Sequence, residues 1–365
     1  MNYEDEMKEL VFKAYDYDDA GKYSLAVPLL EKAASIAREN NDILNEMYCK
    51  FDLIKVYIFS GQGKKGIITF FWCVAQMEKG YTNDEVVYQV LWEYKYILSN
   101  MVEYIAIPSE KINETFEKMK KLYLENNLSL SPYYSLKVRA CRSGIDDGTS
   151  IEEYYKKWIT SSVDDRYEDC KACTINKKVN YHIFMGDYKR ALQESEDIIN
   201  RRFECGEVPD TTFADFLIPA YSLGEYELAE EFHRKGLRLV NGDEDCIMYV
   251  SAHIMYLSIT NIEKGIEVFQ KNYPNLFKSE NDEDNMWFNA ASFALFSNLQ
   301  KKDVQKIKLK ISKKSPIYSQ SEYDVIKLKE FFEEEARRFM DGFDKRNGNT
   351  VVSDELKRYL KVCGC

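Results

Sequence analysis

Apolar residues along this chain recur at steps of three and four, and alternating strand patterns are lacking. "VPLLEKAASIAREN" (27–40), "LQESEDIINRR" (192–202) and "EEFHRKGLRL" (230–239) each gather their apolar residues on one helical face. The pattern predicts eight antiparallel helix pairs. They are 4–18 with 24–39, 43–59 with 64–79, 84–106 with 109–125, 131–143 with 150–162, 166–185 with 188–204, 210–223 with 226–240, 244–258 with 262–273, and 282–299 with 303–312. Ser150 and Glu153 have the spacing of a capping box for the helix that follows them. The acidic start of the eighth pair suits the positive end of a helix dipole. Beyond it, residues 319–343 read as a long charged amphipathic helix. The chain then turns at Asn347-Gly348, and Ser353 caps a short terminal helix. The expected division is a helical solenoid over 1–312 and a C-terminal helical cap over 313–365, with a partner-binding tail as the other reading of that last segment.

A short motif repeats within this pattern. Gly21 to Ala26, Gly186 to Ala191 and Gly224 to Ala229 all read Gly-x-Tyr-x-x-Ala. Glycine ends one helix in the left-handed conformation. Tyrosine opens the next and packs back over the turn, and alanine lets two helices approach closely. Tyr17, Tyr57 and Tyr256 each stand nine residues before the small residue (Ala26, Gly66, Gly265), with His182 in that place before Ala191. Leu30, Phe70 and Phe269 stand four after it. On these residues the chain resembles the tetratricopeptide repeat family, with degenerate repeats, clearly over 4–80 and 166–273. The family's period is about 34 residues, whereas the small residues here are 40 apart from Ala26 to Gly66, 38 from Ala191 to Ala229 and 36 from Ala229 to Gly265. The resemblance implies an all-α, right-handed solenoid of helix pairs. It also explains "GQGKKG" (61–66), whose glycines mimic a dinucleotide-binding turn. Gly61 is the turn glycine and Gly66 takes the alanine place, while a long helix follows where the nucleotide reading needs a second strand.

Charge and composition then narrow the function. A net charge of -11 disfavours nucleic acid and anionic membrane surfaces. No apolar run is long enough to span a bilayer, and "MNYEDEMKEL" contains no secretory core. Nine scattered cysteines suggest reduced thiols and a cytoplasmic location. Candidate chemistry is sparse. His182, His233 and His253 fall at packing positions. Cys170 and Cys173 form C-x-x-C within a predicted helix, without a second pair at zinc-finger spacing. Asp344 to Glu355 imitates a calcium loop, but its glycine is one place early and Arg346 replaces an oxygen ligand. Neither a catalytic nucleophile, a metal nor a cofactor is expected.

Binding is the class that survives. The first helix of each pair is expected to line a concave groove, exposing Cys173, Asn176, Asn180 and Ile183 in one repeat. The corresponding residues are Thr211, Ala214, Ile218 and Tyr221 in the next, and Tyr48, Phe51, Lys55 and Ile58 in the second repeat. Asparagine amides at 176 and 180 suit the backbone of an extended peptide, and Tyr221 suits an apolar side chain. The expected function is a cytoplasmic scaffold or adaptor for a protein or peptide. The alternative implied by the resemblance is a peptide-responsive bacterial regulator. Its usual DNA-binding domain has no room before a repeat that begins by residue 7.

Overall fold

Gly21, Gly186 and Gly224 hold φ of +66°, +75° and +81°, a region that side chains with a Cβ resist. Each therefore turns the chain where the repeated motif predicts. The tyrosine two residues later is the first residue of the next helix, and Ala26, Ala191 and Ala229 are wholly buried. Glycine takes the small slot in two other repeats. A Cβ at Gly265 would come within 2.8 Å of Leu295 Cδ1, and one at Gly66 within 3.3 Å of the Ile54 carbonyl oxygen.

The computed structural model describes residues 2–163, 166–243, 245–320 and 322–365. The helices follow one another as pairs: α1 (Tyr3–Asp19) with α2 (Tyr23–Glu39), α3 (Ile43–Phe59) with α4 (Gly63–Glu78), α5 (Asp84–Met101) with α6 (Ser109–Glu125), and α7 (Ser131–Arg142) with α8 (Ile151–Thr160). Next come α9 (Lys171–Phe184) with α10 (Tyr188–Glu194) and α11 (Glu196–Ile199), α12 (Asp210–Ser222) with α13 (Tyr226–Val240), and α14 (Ile247–Thr260) with α15 (Ile262–Leu276). The first helices from α3 onward stack in one row, each against the next. The Ser150 side chain accepts from Glu153 N at the start of α8, as the capping spacing predicts. No described helix is long and apolar enough to cross a membrane.

The last pair departs from expectation. α16 (Asp282–Lys301) packs against α17 (Val325–Asn347), not against a helix at 303–312. That stretch is extended, and Lys306–Ile307 pairs antiparallel with Tyr323–Asp324. Its "KIKLKI" run alternates lysine with apolar residues, and burial alternates with it, which is the strand signature. α17 starts at Val325, capped by the Asp324 side chain, rather than at 319. The predicted starts at Glu244 and through Ser321 lie outside the described residues. α18 (Val351–Val362) has Thr350 at its N-cap, so Ser353 lies inside the helix and donates to the Thr350 carbonyl. The predicted helix 188–204 breaks at Ser195 and ends at Ile199. Cys170 caps α9 rather than lying within it. Gly348 closes α17 at φ +70°, so the stretch resembling a calcium loop is a helix end and a turn.

The C-terminal segment reaches back to the middle of the chain. Arg346 Nη1 donates to the carbonyls of Val102 (2.7 Å) and Tyr104 (2.9 Å), just past the end of α5. Asn347 and Asn349 donate to the carbonyls of Ser143 and Gly144, just past α7. Carbonyls at helix C-termini have no intrahelical partner and carry the negative end of the dipole. A guanidinium and two amides bond to carbonyls at these ends, that of Tyr104 also accepting from Ile107 N, and tie the end of the chain to its middle.

Candidate functional site

The stacked first helices enclose a cavity of ≈ 230 Å³. It is lined by Asn100 of α5, Arg139 and Arg142 of α7, Asn180 of α9, Asp215 of α12, Tyr249 of α14, and Glu283 and Asp284 of α16; α18 adds Glu355. Each helix contributes one or two polar groups from the face turned inward, so the cavity is ringed with charge. The carboxyls are Glu103, Asp215, Asp245, Glu283, Asp284 and Glu355, and the cations are Arg139 and Arg142.

Arg139 pairs with Glu103, which also accepts from Asn281 Nδ2 at 2.8 Å, and lies 3.8 Å from Glu283 Oε2. Burial disfavours the Arg139 charge, but Glu103 and Glu283 outweigh it and hold the guanidinium firmly protonated. The side chains of Arg139 and Glu103 stay 32% and 15% accessible although protein surrounds them, because the cavity itself admits solvent. The buried Nε atoms of Arg139 and Arg142 have no hydrogen-bond partner among the described residues. Burial pushes Asp215 up to about 6, against the pull of Arg142 and a hydrogen bond from Asn180. It pushes Asp284 up to about 7 and raises Glu355 as well. In each of these carboxyls burial outweighs the nearby cations and hydrogen bonds that favour the charged form.

A second cavity, of ≈ 240 Å³, lies between α1, α3 and α5. Lys55 Nζ donates to Asp18 Oδ2 at 2.7 Å and Tyr15 to Asp52 at 3.0 Å. Glu93 is only 4% exposed, its Oε2 has no partner among the described residues, and burial pushes it up to about 8.

The expected groove residues divide between these places and the core. Asn180 lines the central cavity; Lys55 and Phe51 line the second. Asn176 does not join Asn180. It is buried and occupied, with Nδ2 donating to Thr211 Oγ1 (3.1 Å) and Oδ1 accepting from Thr212 Oγ1 (2.6 Å). Ile183 and Ile218 belong to the core, and Ala214 is buried. Tyr221 packs edge-on to Tyr226 and Tyr256. On α12 the inward line runs through Asp215, one position from the predicted line through Ala214, because one residue rotates a helix by about 100°. Alanine at 176 is accordingly expected to cost about 1–3 kcal/mol of stability by leaving Thr211 and Thr212 without their partner. A melt matching the parent's would place that amide outside the helix contact.

Glu103, Arg139, Arg142, Asp215, Glu283 and Glu355 escaped the sequence reading. The signal was present for Asp215, the sole charge in "TTFADFLIPAY". A charge inside an apolar helical run needs a wet or paired interior. The histidines behave as packing groups: His182 meets the Tyr155 hydroxyl at 3.1 Å, and the Nδ1 atoms of His233 and His253 lie 3.0 Å apart. Comparison of the chain with protein-family models finds no match. Comparison with curated proteins finds none either.

Proposed function

We propose that this chain is a polypeptide-binding scaffold whose ligand places a basic group in the central cavity. The observation that supports this is the ring of six carboxyls against two guanidiniums around ≈ 230 Å³. Pockets for drug-sized ligands run to about 300–1,000 Å³, so this one suits a single long side chain or a chain terminus. The rest of the ligand would then lie along the superhelix, where Asn180 offers an amide to its backbone and Lys55 and Asp18 present a second polar station.

A ligand cation favours the ionised carboxylates. Asp215 at about 6 and Asp284 at about 7 are protonated at pH 5 and ionised at pH 8. Affinity is therefore expected to rise with pH across that interval. Peptides selected by display on the immobilised chain should be enriched in lysine or arginine, and titration by fluorescence anisotropy should show binding tightening about tenfold from pH 5 to 8. Asp215→Asn should weaken binding by a similar factor and flatten the pH profile. Selection of acidic or uncharged peptides, or an affinity indifferent to pH and to residue 215, would remove this reading.

A further inference from the structure

The sulfurs of Cys170, Cys173 and Cys205 lie within 4.8 Å of one another. They come from two separate pieces of chain. Cys170 caps α9 and Cys173 follows on its first turn, while Cys205 sits in the loop before α12. The sulfurs of Cys173 and Cys205 are 3.4 Å apart. Three thiolates on one tetrahedral zinc, at about 2.3 Å each, stand roughly 3.8 Å from one another. The observed spacing therefore needs side-chain adjustments of well under a bond length to close on an ion.

The backbone around the sulfurs is also arranged for thiolates. Cys173 N donates to Cys170 Sγ at 3.4 Å, and Cys205 N donates to the Val208 carbonyl at 2.9 Å, which fixes the loop beside its sulfur. Amide hydrogen bonds to ligand sulfurs orient them and offset their charge. The first turn of a 14-residue helix adds the positive end of its dipole. Among the described residues, the segment that carries Cys205 is held by a small buried cluster of Ala172, Ile198 and Val208, with Cys173, Ile175 and Phe203 alongside, and by the bond from Cys205 N to the Val208 carbonyl. A cation bridging α9 to this loop would staple it. Cys170 and Cys205 are exposed, so an ion has a path in.

We propose that Cys170, Cys173 and Cys205 form a three-thiolate site for a thiophilic divalent cation, with zinc as its natural class and the fourth position left to solvent or to an incoming ligand. Binding exchanges the three thiol protons for the ion. No oxidant takes part, and nothing here depends on the central cavity.

The test uses the full chain, reduced and stripped of metal, titrated with cobalt(II). The expected result is one cobalt per chain, an intense near-ultraviolet sulfur-to-metal band, and tetrahedral bands in the red that zinc abolishes. Cys205→Ser removes a ligand and should weaken zinc binding by at least about a hundredfold, more than the loss of a group that only orients one. The triple variant Cys170→Ser, Cys173→Ser, Cys205→Ser should lose the bands entirely. Cys365→Ser, outside the cluster, should keep them. Zinc should raise the melting temperature of the parent and leave that of Cys205→Ser unmoved, a comparison that holds even if the triple variant does not fold. Absence of sulfur-to-cobalt absorption in the reduced parent would overturn the proposal. So would an unchanged cobalt affinity in Cys205→Ser, or a Cys173–Cys205 disulfide forming in air in a chain that binds no cobalt.

Discussion

Phe332→Ala is expected to destabilise the whole chain by about 3–5 kcal/mol. Phe332 lies on α17, in the segment that the sequence alone leaves open between a cap and a separate tail. Its side chain is completely buried. Its ring stacks on Phe296 of α16 at 5.5 Å and meets Phe269 and Tyr273 of α15 at 5.5 and 5.9 Å. The same apolar cluster runs without interruption from Val179 to Cys363. Removing the ring deletes contacts to two earlier helices at once, and the surrounding aromatic rings are too rigid to collapse into the space. Urea denaturation followed by helical circular dichroism would measure the loss. A loss below about 1 kcal/mol, or a separate early transition that leaves the main one untouched, would detach α17 from the core.

Glu93→Gln is expected to stabilise the chain by about 2–4 kcal/mol at pH 8, by about 1 kcal/mol or less at pH 5, and scarcely at all at pH 4. Burial pushes Glu93 up to about 8; Asp52 adds to the rise, and Lys95 and Lys55 oppose it. In the unfolded chain the same carboxyl titrates at about 4.3. Between those values the folded state holds a proton that the unfolded state has shed. Stability therefore falls as pH rises through the window and is fully present only below it. Glutamine has the shape of the protonated acid and no proton to lose, so the variant should escape the decline. Asp169 works in the opposite sense. Burial would raise it, but Lys177 and Lys95 outweigh burial and hold it at about 2, so its contribution is lost on acidification below about 4. The parent should be most stable near pH 4, between the two effects. Thermal melts of parent and variant across pH 4–9 would show whether the curves diverge. Parallel curves would mean that Glu93 is ionised in the fold.

Most helices were legible because their causes are local. The glycines at 21, 186 and 224 turn the chain by their own backbone preference, and the apolar steps of three and four mark α1 to α5 and α12 to α15 to within a few residues at most boundaries. The misplaced elements had local signals too weak to outweigh their surroundings. "KIKLKI" alternates over only six residues, too few to stand against a run of helices. The site was less legible. Of Asn176, Asn180 and Tyr221, only Asn180 reaches the cavity, because the face a helix turns inward depends on what packs against its other faces.

The sequence by itself determined that this chain is helical, where it turns, and which small residues let helices approach, since each of these follows from a few neighbouring residues. Only the tertiary structure decided which distant residues meet: Arg346 on the carbonyls of Val102 and Tyr104, Glu355 beside Arg142 and Asp215, and Cys205 beside Cys170 and Cys173. Those partners stand from about thirty to more than two hundred positions apart. Over such distances small rotations and tilts accumulate from pair to pair, so side chains meet only when the packing of every intervening helix is settled.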